Sequence, residues 1–288
     1  MDENKKETRR EGPLQLDLGA ILRRRVSGAG RLLLPLAKGL ERAIHQDELN
    51  ALLRATYPAE GSAFARALMR ELDINVSVSG LDAIPAGENF IFASNHPLGG
   101  LDGIAMIGVL GERYGDDHVR FLVNDMLMNV EPLRNVFLPV NKYGSQGREA
   151  ARAIAAAYSS DMQVIIFPAG LVSRLGPEGV RDLEWQKAFV AKALESGRRI
   201  VPVRFDGLNT PRFYRTARWR KRLGLKFNVE QILLPGELCK ARGNSFGITF
   251  GAPVDPSAMR AQGMTPRQIA AEVRRMVYDL PVCGRRQG

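Results

Sequence analysis

The residues most able to do chemistry in this chain lie in one run, Asn95-His96-Pro97-Leu98-Gly99-Gly100-Leu101-Asp102-Gly103. A histidine can serve as a general base because its ordinary pKa lies close to neutral pH. A carboxylate a few residues on can fold back onto the imidazole and hold its tautomer, as the aspartate of a serine-protease triad does. His96 and Asp102 are the candidate pair for that work. No serine or cysteine sits in a nucleophile-elbow motif, so an attacking oxygen has to come from a substrate. Taken alone, a loop histidine followed by an aspartate fits a structural role as well as a catalytic one.

Two further runs stand beside it. Ile165-Ile166-Phe167-Pro168-Ala169-Gly170-Leu171-Val172-Ser173-Arg174 reads as a strand entering a turn that ends in a hydroxyl and a guanidinium, groups suited to an anion. A plain β-turn with an exposed arginine would read the same way. Ile200-Val201-Pro202-Val203, followed by Asp206-Gly207, reads as a strand containing a proline, which also suits an edge strand.

These runs need elements to position them. A short apolar strand over Asn89–Ala93 delivers His96, and a helix over Ala105–Tyr114 follows. Ile74, Val76 and Val78 alternate with polar residues as a strand does. Further strands are expected over His118–Val123, Gln163–Phe167, Arg199–Phe205 and Phe246–Phe250, with helices over Arg148–Ser159, Trp185–Ser196 and Pro266–Asp279. Strands alternating with helices predict an α/β fold with a largely parallel or mixed sheet flanked by helices. Such folds place their chemistry at the carboxyl ends of the strands. Before this domain, expected over residues 73–288, Gln46–Leu72 has apolar residues at helical spacing, and Leu18–Ile44 suits two short amphipathic helices. Together, 18–72 form an expected helical, membrane-facing segment, though a basic helix with a leucine face equally suits packing on its own domain, and 1–17 a disordered lead-in.

Of the 288 residues, 45% are hydrophobic and 25% charged, enough apolar content for a real core. A net charge of +10 asks for a polyanionic partner, nucleic acid or anionic lipid, unless it serves solubility alone. Cys239 and Cys283 are too few for a disulfide framework, and His45, His96 and His118 lie too far apart in sequence for a ligand cluster, so no metal is expected and the compartment reads as reducing cytosol. The N-terminus lacks the apolar stretch of a signal peptide, and no run approaches the ~20 apolar residues that span a bilayer.

Taken together, the three runs resemble the ordered blocks of the PlsC-type glycerolipid acyltransferase family, N-H-x4-D, F-P-E-G-T-R-S and V-P-V, over about Ile74–Val254. The resemblance implies that His96 removes the proton of an acceptor hydroxyl, that Asp102 orients it, and that the electrophile is an acyl thioester on acyl carrier protein or coenzyme A. No cofactor beyond that co-substrate is implied. It also points to Asn95, Gly99, Gly100, Asn124, Lys142, Phe167, Pro168, Gly170, Ser173 and Arg174 as substrate-binding positions.

This sequence departs from the family pattern in ways that bear on the acceptor. Five residues separate His96 from Asp102 where the family has four, and Gly99 and Gly100 can absorb the extra one. The family glutamate is Ala169 here, its arginine is displaced to Arg174, and the position of its second arginine falls near Asn141 and Lys142, after a strand resembling Val136–Val140. The family uses those groups for a phosphate-bearing acceptor. The variant blocks look closer to the hemolysin-like branch associated with lyso-ornithine and related amino-acid lipids. A lyso-amino-acid lipid is therefore the expected acceptor, with lysophosphatidic acid as its rival. A basic binding module without catalysis is the alternative of another class.

A lyso-lipid acceptor lives in a bilayer, so the protein is expected as a peripheral protein on the cytoplasmic face. Two arginine-rich tracts suit an anionic membrane surface: Arg23, Arg24 and Arg25 near the N-terminus, and Arg215, Arg218, Trp219, Arg220 and Arg222 farther on. The second tract also has the composition for stacking on RNA, but with the acyltransferase blocks present no nucleic acid is expected.

Overall fold

The computed structural model describes residues 45–123, 128, 130–140, 145–224 and 229–283. Two helices, α1 (Gln46–Thr56) and α2 (Gly61–Glu71), precede strand β1 (Asn75–Ser79). Strand β2 (Phe90–Ser94) leads into α3 (Leu101–Tyr114), followed by β3 (Val119–Val123), β4 (Phe137–Pro139), α4 (Ser145–Ser159) and β5 (Gln163–Ile166). A small hairpin, β6 (Arg174–Gly176) with β7 (Gly179–Arg181), precedes α5 (Ala188–Ser196) and β8 (Arg199–Asp206). The chain continues through α6 (Pro211–Arg222), α7 (Leu234–Lys240), β9 (Ser245–Phe250), α8 (Pro256–Ala261) and α9 (Pro266–Asp279).

Seven strands form one sheet in the order β1-β9-β8-β2-β5-β3-β4, parallel throughout except where β8 meets β9. Strand β2 lies inside it, between β8 and β5, and all five of its residues are buried. A strand covered on both faces can be continuously apolar. Its side chains alternate accordingly: Phe90 and Phe92 join one apolar cluster, Ile91 and Ala93 the other. The first cluster takes in α1, α2 and α3, and the second takes in Trp185, α5 and α9. Helices thus cover both faces of the sheet, the architecture that the alternation of elements predicts.

The expected boundary at residue 73 falls inside this packing. Leu49, Leu52, Leu53, Phe64, Leu68 and Leu72 are buried in the same cluster as Phe92 and Phe205. Gly108 and Gly111 let α3 approach α2 closely, since a β-carbon at Gly111 would collide with Ser62. Residues from Gln46 onward therefore belong to the α/β body, and the remainder of the proposed membrane-facing segment, 18–44, lies outside the described residues. The helical spacing over Gln46–Leu72 resolves into two helices, parted at Pro58, which lacks the N–H that a continuing helix requires.

Candidate active site

Strand β2 pairs in parallel with β5 (Ala93 opposite Ile166) and with β8 (Ser94 opposite Val203), so the loops after all three leave the same end of the sheet. Parallel pairing is what unites runs separated by some seventy to a hundred positions in the chain. Asn95 fastens the junction. Its amide nitrogen donates to the Phe205 carbonyl at 2.9 Å, and its oxygen accepts from the Phe205 N–H at 2.7 Å.

His96 follows directly. Its Nδ1 lies 2.9 Å from Asp102 Oδ2, and the carboxylate is fully buried. Asp102 can reach back because α3 begins at Leu101, four residues before the helix expected from sequence, which places the carboxylate in the first turn. Gly103 lets this first turn lie against Phe121, since a side chain there would run into that ring. Asp102 Oδ2 also accepts from the backbone N–H of Leu98 at 2.9 Å and of Gly99 at 3.2 Å. A carboxylate accepts only, so the imidazole donates from Nδ1, which leaves Nε2 to receive a proton.

Electrostatics reinforce the arrangement. Burial pulls the His96 pKa down, but the charge and hydrogen bond of Asp102, aided by Asp182, outweigh that and Arg174's opposing charge, so the net shift is upward. Burial alone would raise the Asp102 pKa, yet the His96 ring and the Leu98 and Gly99 amides hold it below the ordinary carboxylate value. The imidazole also lies against Phe167, whose ring meets Phe121 edge-on.

The polar groups of the loop are almost fully accounted for. The His96 N–H donates to Asp182 Oδ1 at 3.1 Å, and the His96 carbonyl accepts from the Ser173 N–H at 2.7 Å. The Pro97 carbonyl accepts from Asn209 Nδ2 at 3.1 Å. Asp182, just after β7 and buried, also accepts from the Ser173 hydroxyl at 2.5 Å and from the Trp185 indole at 2.9 Å. Its own N–H donates to the Tyr278 hydroxyl, and its carbonyl accepts from Arg274, both on α9. Nothing in the spacing of the sequence singles out Asp182, because only the β6–β7 hairpin carries it back to the loop.

Several positions expected to touch substrate have partners within the fold. Asn95 is buried and uses each end of its amide to hold the Phe205 peptide. Ser173 is buried with its hydroxyl on Asp182, and Phe167 backs the His96 ring. Pro168 is buried with its carbonyl accepting from the Gln186 N–H, and Gly170 closes the turn at φ +65°, its N–H on the Phe167 carbonyl. Gly99 absorbs the additional loop residue at φ +81°, whereas Gly100 caps α3 with open space about it. Asn124 and Lys142 lie outside the described residues. Arg174 is not an exposed anion receptor: its Nη2 donates to Glu230 Oε1 at 2.8 Å. Ala169, where the family carries glutamate, is packed in the apolar cluster with Trp185.

Helix α6 has two faces. Phe213, Tyr214 and Ala217 are buried, and Phe213 and Tyr214 pack with Val172. Arg212, Arg215, Arg218 and Arg222 are exposed, together with Trp219 at 62% and Leu223 at 66% of their full accessible surface. Arg220 departs from the expected membrane-contact set: it turns inward, its Nε 3.0 Å from Glu230, which is fully buried. The spacing Phe213, Ala217, Arg220 runs along one helix face, so the inward turn follows from helical periodicity. Arg23, Arg24 and Arg25 lie outside the described residues. Among the described residues no helix is long and apolar enough to cross a membrane, and no three His, Cys, Asp or Glu side chains gather as a metal site.

An imidazole held by a buried carboxylate at the carboxyl end of a mostly parallel sheet is an arrangement able to accept a proton at Nε2. A family model described as Acyltransferase matches residues 22–282. The chain belongs to this family and is an acyltransferase. It is 42% identical over 241 residues to a lyso-glycine lipid O-acyltransferase of Phocaeicola vulgatus, covering 84% of this chain and 86% of that one. A lyso-glycine lipid O-acyltransferase of Bacteroides thetaiotaomicron is 42% identical over the same length, with 88% of it covered. Among solved structures, the lysophosphatidic acid acyltransferase PlsC of Thermotoga maritima is similar at 17% identity and a TM-score of 0.45, covering 83% of this chain and 92% of that one.

Proposed function

We propose that the protein moves a fatty acyl group from a thioester, on acyl carrier protein or coenzyme A, to the free hydroxyl of a lyso-amino-acid lipid of the glycine or ornithine type. The observation that carries the acceptor class is the 42% identity, over 84% of the chain, to lyso-glycine lipid O-acyltransferases. Ala169 supports it, because the family glutamate tied to phosphate-bearing acceptors is replaced by a packed methyl group.

The chemistry assigned to the site runs in one exchange. His96 Nε2 takes the hydroxyl proton as the acceptor oxygen attacks the thioester carbonyl. Asp102 stabilises the resulting imidazolium and keeps its Nδ1–H in place. As the carbon–sulfur bond breaks, the thiolate recovers the proton from Nε2, so ester and thiol leave and the enzyme is unchanged. No covalent acyl-enzyme forms. The protein works on the cytoplasmic face of the membrane, with the exposed face of α6 against anionic lipid; its arginines, Trp219 and Leu223 support that placement.

The test is a competition assay in which purified protein, an acyl thioester and equal lyso-glycine lipid, lyso-ornithine lipid and lysophosphatidic acid are combined in detergent. The amino-acid lipids should be acylated faster, and His96→Ala should lower that rate by about 100-fold or more. Preference for lysophosphatidic acid would overturn the acceptor assignment, and an active His96→Ala enzyme the role given to the histidine.

A further inference from the structure

The structure assigns Asp182 as a positioning residue for the base, holding the peptide unit of His96 rather than its ring. The assignment rests on the reading of His96 as base and extends it to a residue outside the three resembling runs.

The His96 peptide unit is gripped from both sides. Its N–H donates to Asp182 Oδ1, and its carbonyl accepts from the N–H of Ser173, whose hydroxyl returns to the same Asp182 oxygen at 2.5 Å. One carboxylate thus fixes the end of the β2 loop and the end of the β5 loop in mutual register. The other oxygen accepts from Trp185 Nε1 at 2.9 Å, and Tyr278 and Arg274 tie the backbone of Asp182 to α9. Three donors and no acceptor face the carboxylate, the arrangement that suits an ionised group. An ordinary core aspartate would need no such convergence on the catalytic loop.

The charged groups facing His96 are Asp102 on α3, Asp182 after β7 and Arg174 on β6. Burial raises the Asp182 pKa, opposed by the hydrogen bonds from Ser173, the His96 N–H and Trp185 and by the charge of His96, while Arg274 meets only its backbone carbonyl. Asp182 therefore adds to Asp102 in favouring the imidazolium, while its main effect is geometric. A base displaced by about 1 Å loses roughly 100-fold in rate.

The experiment compares kcat, KM and the pH profile of kcat/KM for the full chain and for Asp182→Asn, Ser173→Ala and His96→Ala, using a detergent-dispersed lyso-amino-acid lipid and an acyl thioester. Asp182→Asn places an NH2 among three donors. It should lower kcat by about 10- to 100-fold with KM unchanged for both substrates, and move the acidic limb to lower pH. Ser173→Ala removes one of the three donors but leaves the carboxylate charge, so it should lower kcat by less and leave the acidic limb in place. A folded Asp182→Asn protein with wild-type kcat and pH limb overturns the assignment. Should that variant not fold, a Ser173→Ala enzyme with wild-type kcat overturns it instead. Full activity in His96→Ala identifies failure of the base reading itself, and Asp182 then has no base to position.

Discussion

The imidazole of His96 lies flat on the ring of Phe167, with centroids 4.0 Å apart and planes 15° from parallel. The hydrogen bond to Asp102 fixes one edge of the imidazole, and the stack fixes its plane; two restraints of different kind define where Nε2 points. Phe167 is itself held edge-on by Phe121 at 5.2 Å. Replacing Phe167 with Leu keeps an apolar group and loses the flat surface. An aromatic contact of this kind contributes about 1 kcal/mol, so kcat should fall roughly fivefold while KM for both substrates stays the same. Steady-state kinetics on the variant decide this, and a rise in KM at constant kcat would show that Phe167 binds substrate instead.

The pH dependence follows from the charge balance around the ring. A general base must be neutral, and protonation below its pKa disables it, so kcat/KM should fall as pH drops through the His96 pKa. That pKa is shifted upward in the folded enzyme, so the midpoint of the acidic limb should lie above about 6.5, the ordinary histidine value. Asp102→Asn removes the negative charge that favours the imidazolium and should move the limb to lower pH. It should also reduce the plateau by about 100-fold or more, because the ring loses its fixed tautomer. A pH–rate series on both proteins measures the two effects separately.

Much of this site was legible in the sequence, and the reasons are local. The apolar run Phe90–Ala93 reads as a short strand, and the glycine-rich turn after it places His96 at the strand's end. What could not be read was set by tertiary packing. Asp182 reaches the loop across 86 positions because a hairpin folds back, and hairpin pairing leaves no periodic trace in so short a segment. Asn95 looked like a ligand group, but its amide completes the backbone pairing between β2 and β8. Arginine count alone also misled in α6, where only the helical phase relative to Phe213 and Ala217 separates Arg220 from its exposed neighbours.

Gly99 carries the conformational demand of the lengthened loop. At φ +81° a side chain is strained, and a β-carbon would come within 2.7 Å of both Leu234 and Val172. Gly99→Ala should therefore cost about 1–3 kcal/mol of stability and disturb the N–H that Asp102 receives. Gly100→Ala, with open space around it, should leave the melting temperature close to that of the parent. Thermal unfolding of the pair tests the distinction, and equal melting temperatures would sink it.

Glu230 links the hairpin to α6. Fully buried, it meets Arg174 at 2.8 Å and Arg220 at 3.0 Å, and both guanidinium groups are largely shielded from water. Removing its charge leaves two cations facing each other in a weakly solvated space. Glu230→Gln should destabilise the protein by about 3 kcal/mol, the cost of breaking a buried ion pair from one side. Chemical denaturation measures it, and a change within experimental error would mean that water reaches this cluster freely.

The exposed face of α6 should hold the protein on anionic lipid. Arg215, Arg218 and Arg222 project from it beside Trp219 and Leu223, while Arg220 is committed to Glu230. Each cation near an anionic surface contributes about 1 kcal/mol, screened by salt over ~8 Å at physiological strength. Trp219 and Leu223 add an apolar part that salt does not remove. Binding to anionic vesicles should therefore fall steeply yet incompletely as salt rises, and binding to neutral vesicles should be weak. Replacing Arg215, Arg218 and Arg222 with Gln should reduce vesicle binding strongly and leave turnover of a detergent-dispersed acceptor much less affected, because all three are exposed. Arg220→Gln should act the other way, lowering stability before it lowers lipid binding. Vesicle sedimentation beside an RNA-binding assay reads all of this. Tight RNA binding without vesicle association would reassign the face to nucleic acid.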